Sequence, residues 1–144
     1  MNRIESILVP VDFEAQSEHA LAYAVDLAET LGATVHVITT YEVPIVGFPD
    51  GVLVAAAEIV SHLVESSQKS LDEMCAPYKA RKVTVTSHLE QGDPQQKILE
   101  VARDKHVGLI VMGTHGRRGV SRALIGSVAE NVIRRSEIPV LTVH

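Results

Sequence analysis

The chain has 144 residues, 46% of them hydrophobic and 22% charged, with a formal net charge of −5 and one cysteine. That length suits a single domain over 1–144 with its own buried core, and that composition excludes a disordered chain. The acidic balance argues against non-specific nucleic-acid binding, a lone Cys75 excludes an internal disulfide, and no run of about 18 apolar residues marks a membrane span.

The opening MNRIESILVPVD lacks the basic-then-apolar order of a secretory leader, so a cytoplasmic location is expected. SILVPV (6–11) is a nearly continuous apolar run, as in a strand buried on both faces. Ala20, Leu21, Ala24, Leu27, Ala28 and Leu31 then recur at helical spacing, and Gly32 stands where a C-terminal cap belongs. TVHVITTY (34–41) is β-branched and reads as a second strand. EVPIVGFPDG (42–51) reads as a loop, and an amphipathic helix is expected from about Val52 to Tyr78. VTVTSHL (83–89) alternates, which suits a strand near a sheet edge. Asp93, Pro94 and Gln96 mark the start of a third helix, as cap, first helical residue and capping-box partner. LIVM (109–112) and PVLTV (139–143) complete five strands, with a last helix running through about Ser136. Strict alternation of strand and helix predicts a parallel sheet with helices on both faces, and ligands in such sheets bind beyond the C-terminal strand ends. PVDF after the first strand and GTHG after the fourth fall there.

The second of these opens GTHGRRGVSRALIGS (113–127), which holds four glycines and three arginines. Arg117, Arg118, Arg122, Arg134 and Arg135 form the only basic concentration in the chain. A polyphosphate needs several backbone N–H donors at close range without Cβ atoms in the way, and gains from a helix N-terminus. The spacing G-x2-G-x9-G-S is neither the P-loop pattern nor the dinucleotide fingerprint. By motif alone it admits two readings. One is a phosphate cradle; the other is a surface loop whose glycines permit turns, whose arginines are solvated, and whose Ser127 and Glu130 form a capping box.

GTHGRRGVSRALIGSVAENVIRRSEIPVLTV closely resembles the C-terminal signature of the universal stress protein family. ILVPVDFEAQSEHALAYAVDLAETLGA and QGDPQQKILEVARDKHVGLIVMGTHG resemble its other blocks, and the likeness is weakest across 42–82. The glycine spacing resembles that of the ATP-binding branch. The resemblance implies ATP as the bound molecule, with Mg²⁺ or Mn²⁺ held through the phosphates. Asp12, with Pro10 and Val11, would lie beside the nucleoside. Val37 and Thr39 match adenine-contacting positions, and Met112 would flank the nucleoside. Gly113, Gly116, Gly126, Ser127 and Val128 match phosphate-binding positions, Arg117 would face phosphate or solvent, and His115 completes the set. The expected architecture is a doubly wound five-stranded parallel sheet of order 3-2-1-4-5. Gly108 departs from the family, which commonly has an acidic residue there, and FPDGVLVAAA is individual to this chain.

Three functions are compatible with these residues: a nucleotide-dependent regulatory protein, a slow ATP-hydrolysing enzyme, and a ligand-free interaction module. Hydrolysis is disfavoured because the signature has no P-loop lysine and no second carboxylate beside the glycines. The first reading is favoured, with an unidentified protein partner. The chain ends in a strand; at a sheet edge it would invite pairing with a second copy, so a homodimer is expected.

Overall fold

The computed structural model describes residues 3–43, 56–114 and 125–144. The elements alternate as β1 (Ser6–Pro10), α1 (Ala15–Leu31), β2 (Thr34–Tyr41), α2 (Ala56–Cys75), β3 (Val85–Gln91), α3 (Pro94–Asp104), β4 (Leu109–Gly113), α4 (Ser127–Arg135) and β5 (Val140–Val143), with one 3-10 turn at Ala76–Tyr78. All neighbouring strands pair in parallel, in the order β3-β2-β1-β4-β5. The expected order is the observed one.

Strand residues alternate between two cores. Ile7, Val9, Val35, Val37, Leu109 and Val111 face one side, where Ala20, Leu21, Ala24, Val25 and Ala28 of α1 and Leu71 and Cys75 of α2 cover them. Leu8, Ile38, Ile110 and Met112 face the other side, against Ile98, Val101 and Ala102 of α3 and Ala129 and Val132 of α4. Both faces of the central strands are thereby dry, which is why their sequences are continuous apolar runs. Cys75 is one of the small side chains packed in the first core.

Several boundaries differ from expectation. β3 begins and ends two residues later than 83–89, because its ladder with β2 runs from Val85 opposite Val35 to Gln91 opposite Tyr41. Val83 is buried all the same, and the Thr84 carbonyl accepts from the Val35 N–H at 2.9 Å. α2 is described from Ala56, so the expected start at Val52 lies outside the described residues. Gly32 caps α1 in the left-handed region (φ 67°), its N–H donating to the Ala28 carbonyl. Asp93 caps α3 through the Gln95 N–H at 3.2 Å, one position earlier than the reciprocal box with Gln96 requires.

The chain builds β1, β2 and β3 outward in one direction, then crosses back to lay β4 and β5 on the other side of β1. The connections leaving β1 and β4 therefore diverge to opposite faces. That divergence opens a crevice beyond their C-terminal ends.

Candidate functional site

A cavity of about 580 Å³ occupies this crevice. Pro10, Val11 and Asp12 line it from β1; Ile38, Thr39, Thr40 and Glu42 from the end of β2; Met112, Gly113 and Thr114 from β4. Gly126, Ser127, Val128 and Ala129 close it from the start of α4, with Ser17, Pro94 and Ile98 completing the walls. The floor is apolar and its two ends are polar.

At the β1 end most polar groups are already committed. The Val11 N–H donates to the Ile38 carbonyl at 2.9 Å, and the Thr39 hydroxyl donates to the Val11 carbonyl at 3.0 Å. These two bonds extend the β1–β2 pairing beyond its last ladder pair, Pro10 and Ile38. The Asp12 N–H donates to Ser17 Oγ at 2.9 Å, and that hydroxyl donates back to Asp12 Oδ1 at 2.5 Å. Asp12 Oδ1 also accepts from the Glu14 N–H at 3.1 Å. This clamp turns the chain from β1 into α1 through Phe13, which lies in the left-handed region (φ 67°) that a side chain enters at a cost of about 1–2 kcal/mol. Asp12 thus has a structural duty as well as a place in the cavity wall.

At the β4 end the structure assigns the glycines separate duties. A Cβ on Gly113 would stand 3.1 Å from Gln16 Cβ, so glycine there lets α1 lie close against β4. Thr114, fully buried, turns its hydroxyl toward Gln16 Oε1 (3.5 Å) and His144 Nδ1 (3.3 Å). Its carbonyl accepts the Gly126 N–H at 2.6 Å. That bond uses the Gly126 amide, which therefore contributes clearance, not a donor, to the cavity. It also sets where α4 begins. The Glu130 N–H donates to the Gly126 carbonyl at 2.9 Å, so Gly126 is the N-cap and Ser127 the first helical residue. The Ser127–Glu130 capping box of the alternative reading does not form, and Glu130 instead meets Arg134 at 2.9 Å, one turn on. Ser127, Val128 and Ala129 open α4, where backbone amides have no intrahelical acceptor, and all three residues line the cavity at the positive end of the helix.

Of the residues expected in a site, Pro10, Val11, Asp12, Thr39, Met112, Gly113, Gly126, Ser127 and Val128 line this one cavity. Val37 does not: it is fully buried in the α1–α2 core, opposite Val9. His115, Gly116 and Arg117 lie outside the described residues. Ser17, Thr40, Glu42, Pro94, Ile98, Thr114 and Ala129 line the cavity without having been anticipated. Ser17 and Thr114 are invisible in a motif search because their roles are contacts with residues elsewhere in the chain. Glu42 carried a readable signal, an acidic residue directly after the second strand.

Two other features compete for attention. A wider groove of about 760 Å³ runs along α2, lined by Glu42, Val43, Glu58, Ile59, His62, Leu63 and Ser66. It lies between the end of β2 and the first turns of α2, away from Gly113, Gly126 and the start of α4. His36 Nδ1 and His88 Nε2 lie 2.9 Å apart between β2 and β3. Burial, with the nearby Lys105 ammonium, lowers both imidazoles below their ordinary value, His88 to about 4. Among the described residues no three His, Cys, Asp or Glu side chains are grouped to hold a metal ion, and no helix is long and apolar enough to cross a membrane.

Residues 3–144 match the universal stress protein family. Universal stress protein MJ0531 of Methanocaldococcus jannaschii is 35% identical over 144 residues, covering 99% of this chain and 83% of that one. MJ0577 of the same organism is 30% identical, covering 96% and 94%. The solved structure of MJ0577 superimposes with a TM-score of 0.85 over 99% of this chain and 96% of its own, at 26% identity. A universal stress protein solved in complex with cAMP gives a TM-score of 0.75 at 25% identity, with 99% of each chain covered.

Proposed function

The chain belongs to the universal stress protein family, and from that premise we propose that it is an ATP-binding regulatory protein whose nucleotide occupancy biases its conformation and its choice of partner. The observation that carries this reading is the cavity itself. It offers apolar walls of Ile38, Ile98 and Met112 for a base, and the first-turn amides of α4, at Ser127, Val128 and Ala129, for phosphates. The cAMP complex of a similar protein supports an adenine nucleotide in this fold. Residues Pro10, Val11, Asp12, Thr39, Met112, Gly113, Gly126, Ser127 and Val128 form the binding set, to which His115, Gly116 and Arg117 would add. A Mg²⁺ or Mn²⁺ ion would ride on the phosphates.

Rapid turnover is not part of the reading. Asp12, the wall carboxylate beyond β1, already accepts from Ser17 and Glu14 through one oxygen. β5 is a sheet edge with half-buried residues throughout, which supports pairing with a second copy along that edge. A cytoplasmic location and the absence of a nucleic-acid partner complete the proposal.

The test is to denature the purified protein, identify any released nucleotide, titrate ATP calorimetrically, and measure turnover with Mg²⁺ or Mn²⁺. The proposal predicts adenine nucleotide binding with negligible hydrolysis. Gly126→Asp, which puts a side chain and a negative charge at the mouth of α4, is expected to weaken ATP binding at least tenfold. Normal ATP affinity in that variant would contradict the cradle. A monomer by sedimentation at micromolar concentration would remove the dimer.

A further inference from the structure

The cavity is electrically asymmetric along its length. At one end stand the α4 amides; at the other, beyond the last residue of β2, stands Glu42. β2 and β4 flank β1 on opposite sides, so with strands about 4.8 Å apart the strand ends followed by Glu42 and, through the Thr114–Gly126 bond, by α4 lie roughly 10 Å apart. That is about the reach from the phosphates of a nucleotide to its sugar and base, and far enough to spare the carboxylate from direct phosphate repulsion.

Of the two carboxylates in the described wall, Asp12 is drawn into the clamp with Ser17 and Glu14, whereas Glu42 makes no hydrogen bond or ion pair with the described residues. The neighbouring Thr39 hydroxyl and Val11 carbonyl are bonded to each other. Glu42 is thus the acceptor best placed to be satisfied by a ligand. The base, as the least polar part of a nucleotide, belongs on Ile38, Ile98, Pro94 and Met112; the exposed Glu42 meets the part that stays near solvent, the sugar. In dinucleotide-binding sheets an acidic residue about 20 residues beyond the glycine-rich turn takes the ribose 2′-hydroxyl, a precedent for a carboxylate holding the sugar.

Resting on the nucleotide reading above, we propose that Glu42 is the specificity-determining acceptor for the ribose hydroxyls, so that the site prefers ribonucleotides to 2′-deoxyribonucleotides. A charge-assisted hydrogen bond of this kind corresponds to about tenfold in affinity. The experiment is calorimetric titration of the full chain, wild type and the Glu42→Gln and Glu42→Ala variants, with ATP, 2′-deoxy-ATP and inorganic tripolyphosphate. Wild type is expected to bind ATP about tenfold more tightly than 2′-deoxy-ATP. Glu42→Ala should lose most of that ratio by weakening ATP more than 2′-deoxy-ATP, Glu42→Gln should lose part of it, and tripolyphosphate affinity should hold within about twofold. An unchanged ATP to 2′-deoxy-ATP ratio in Glu42→Ala would overturn the assignment while leaving nucleotide binding intact. Tighter binding of all three anions by both variants would likewise overturn it, since the carboxylate would then act only as a repulsive charge. A wild-type protein that binds none of the three overturns this inference and the nucleotide reading together.

Discussion

Ser17→Ala removes one oxygen and should disturb both the fold and the cavity. Ser17 is 6% exposed, and its hydroxyl makes two bonds to the same residue, donating to Asp12 Oδ1 at 2.5 Å and accepting the Asp12 N–H at 2.9 Å. A hydrogen bond to a charged group contributes about 1.5–3 kcal/mol and a neutral one about 0.5–1.5 kcal/mol. Asp12 is only half-buried and keeps the Glu14 N–H, so water recovers part of the loss. The expected destabilisation is about 2 kcal/mol, or a fall of about 4–8 °C in Tm. The clamp also holds Phe13 in its left-handed conformation, so its release should move Asp12 and weaken ATP binding severalfold. Urea unfolding of wild type, Ser17→Ala, Asp12→Ala and the double variant measures the coupling directly, and about 1–2 kcal/mol is expected. A single-variant loss under about 0.5 kcal/mol, or no coupling between the two sites, would refute the clamp as the device that shapes this end of the cavity.

Gly113→Ala places a Cβ 3.1 Å from Gln16 Cβ, which forces α1 away from β4. A loss of about 1 kcal/mol in urea unfolding is expected, accompanied by weaker ATP binding; a neutral result would show that this contact gives way freely. Folding holds His36 and His88 below their ordinary imidazole value, so the unfolded chain takes up protons first as pH falls. Their contribution is complete above about pH 6.5 and is lost progressively as the pH descends toward 4. Urea midpoints across this range should fall less steeply in His88→Gln than in wild type, and identical profiles would exclude the pair as a source of the acid sensitivity.

The sheet was readable because its central strands are buried on both faces, which leaves the apolar runs ILV and LIVM in the sequence. Edges were less legible. β3 runs two residues past its apolar alternation because pairing with β2, not side-chain pattern, sets its end at Gln91. Gly108, a departure from the family pattern, has a local cause: a Cβ there would meet Ile4 Cα at 3.2 Å. The cradle was legible as a run of glycines but not as a set of duties. Gly113 serves the contact with Gln16, and Gly126 spends its amide on Thr114, a bond that no spacing rule announces. Ser127 reads as a cap in sequence because Glu130 follows at the right interval; the Thr114 bond moves the cap to Gly126 and leaves Ser127 inside the helix. Val37 fell in the core because β2 alternates, which turns Val37 toward α1 with Val35 and leaves Ile38 to line the cavity.

At 15.6 kDa the chain is within easy reach of amide-resolved NMR, and one titration addresses the central claim directly. On addition of ATP, the amide resonances of Ser127, Val128 and Ala129 should shift together and saturably, with inorganic tripolyphosphate shifting the same three. Saturable binding that leaves these three amides unmoved, or no binding at all, would contradict the account.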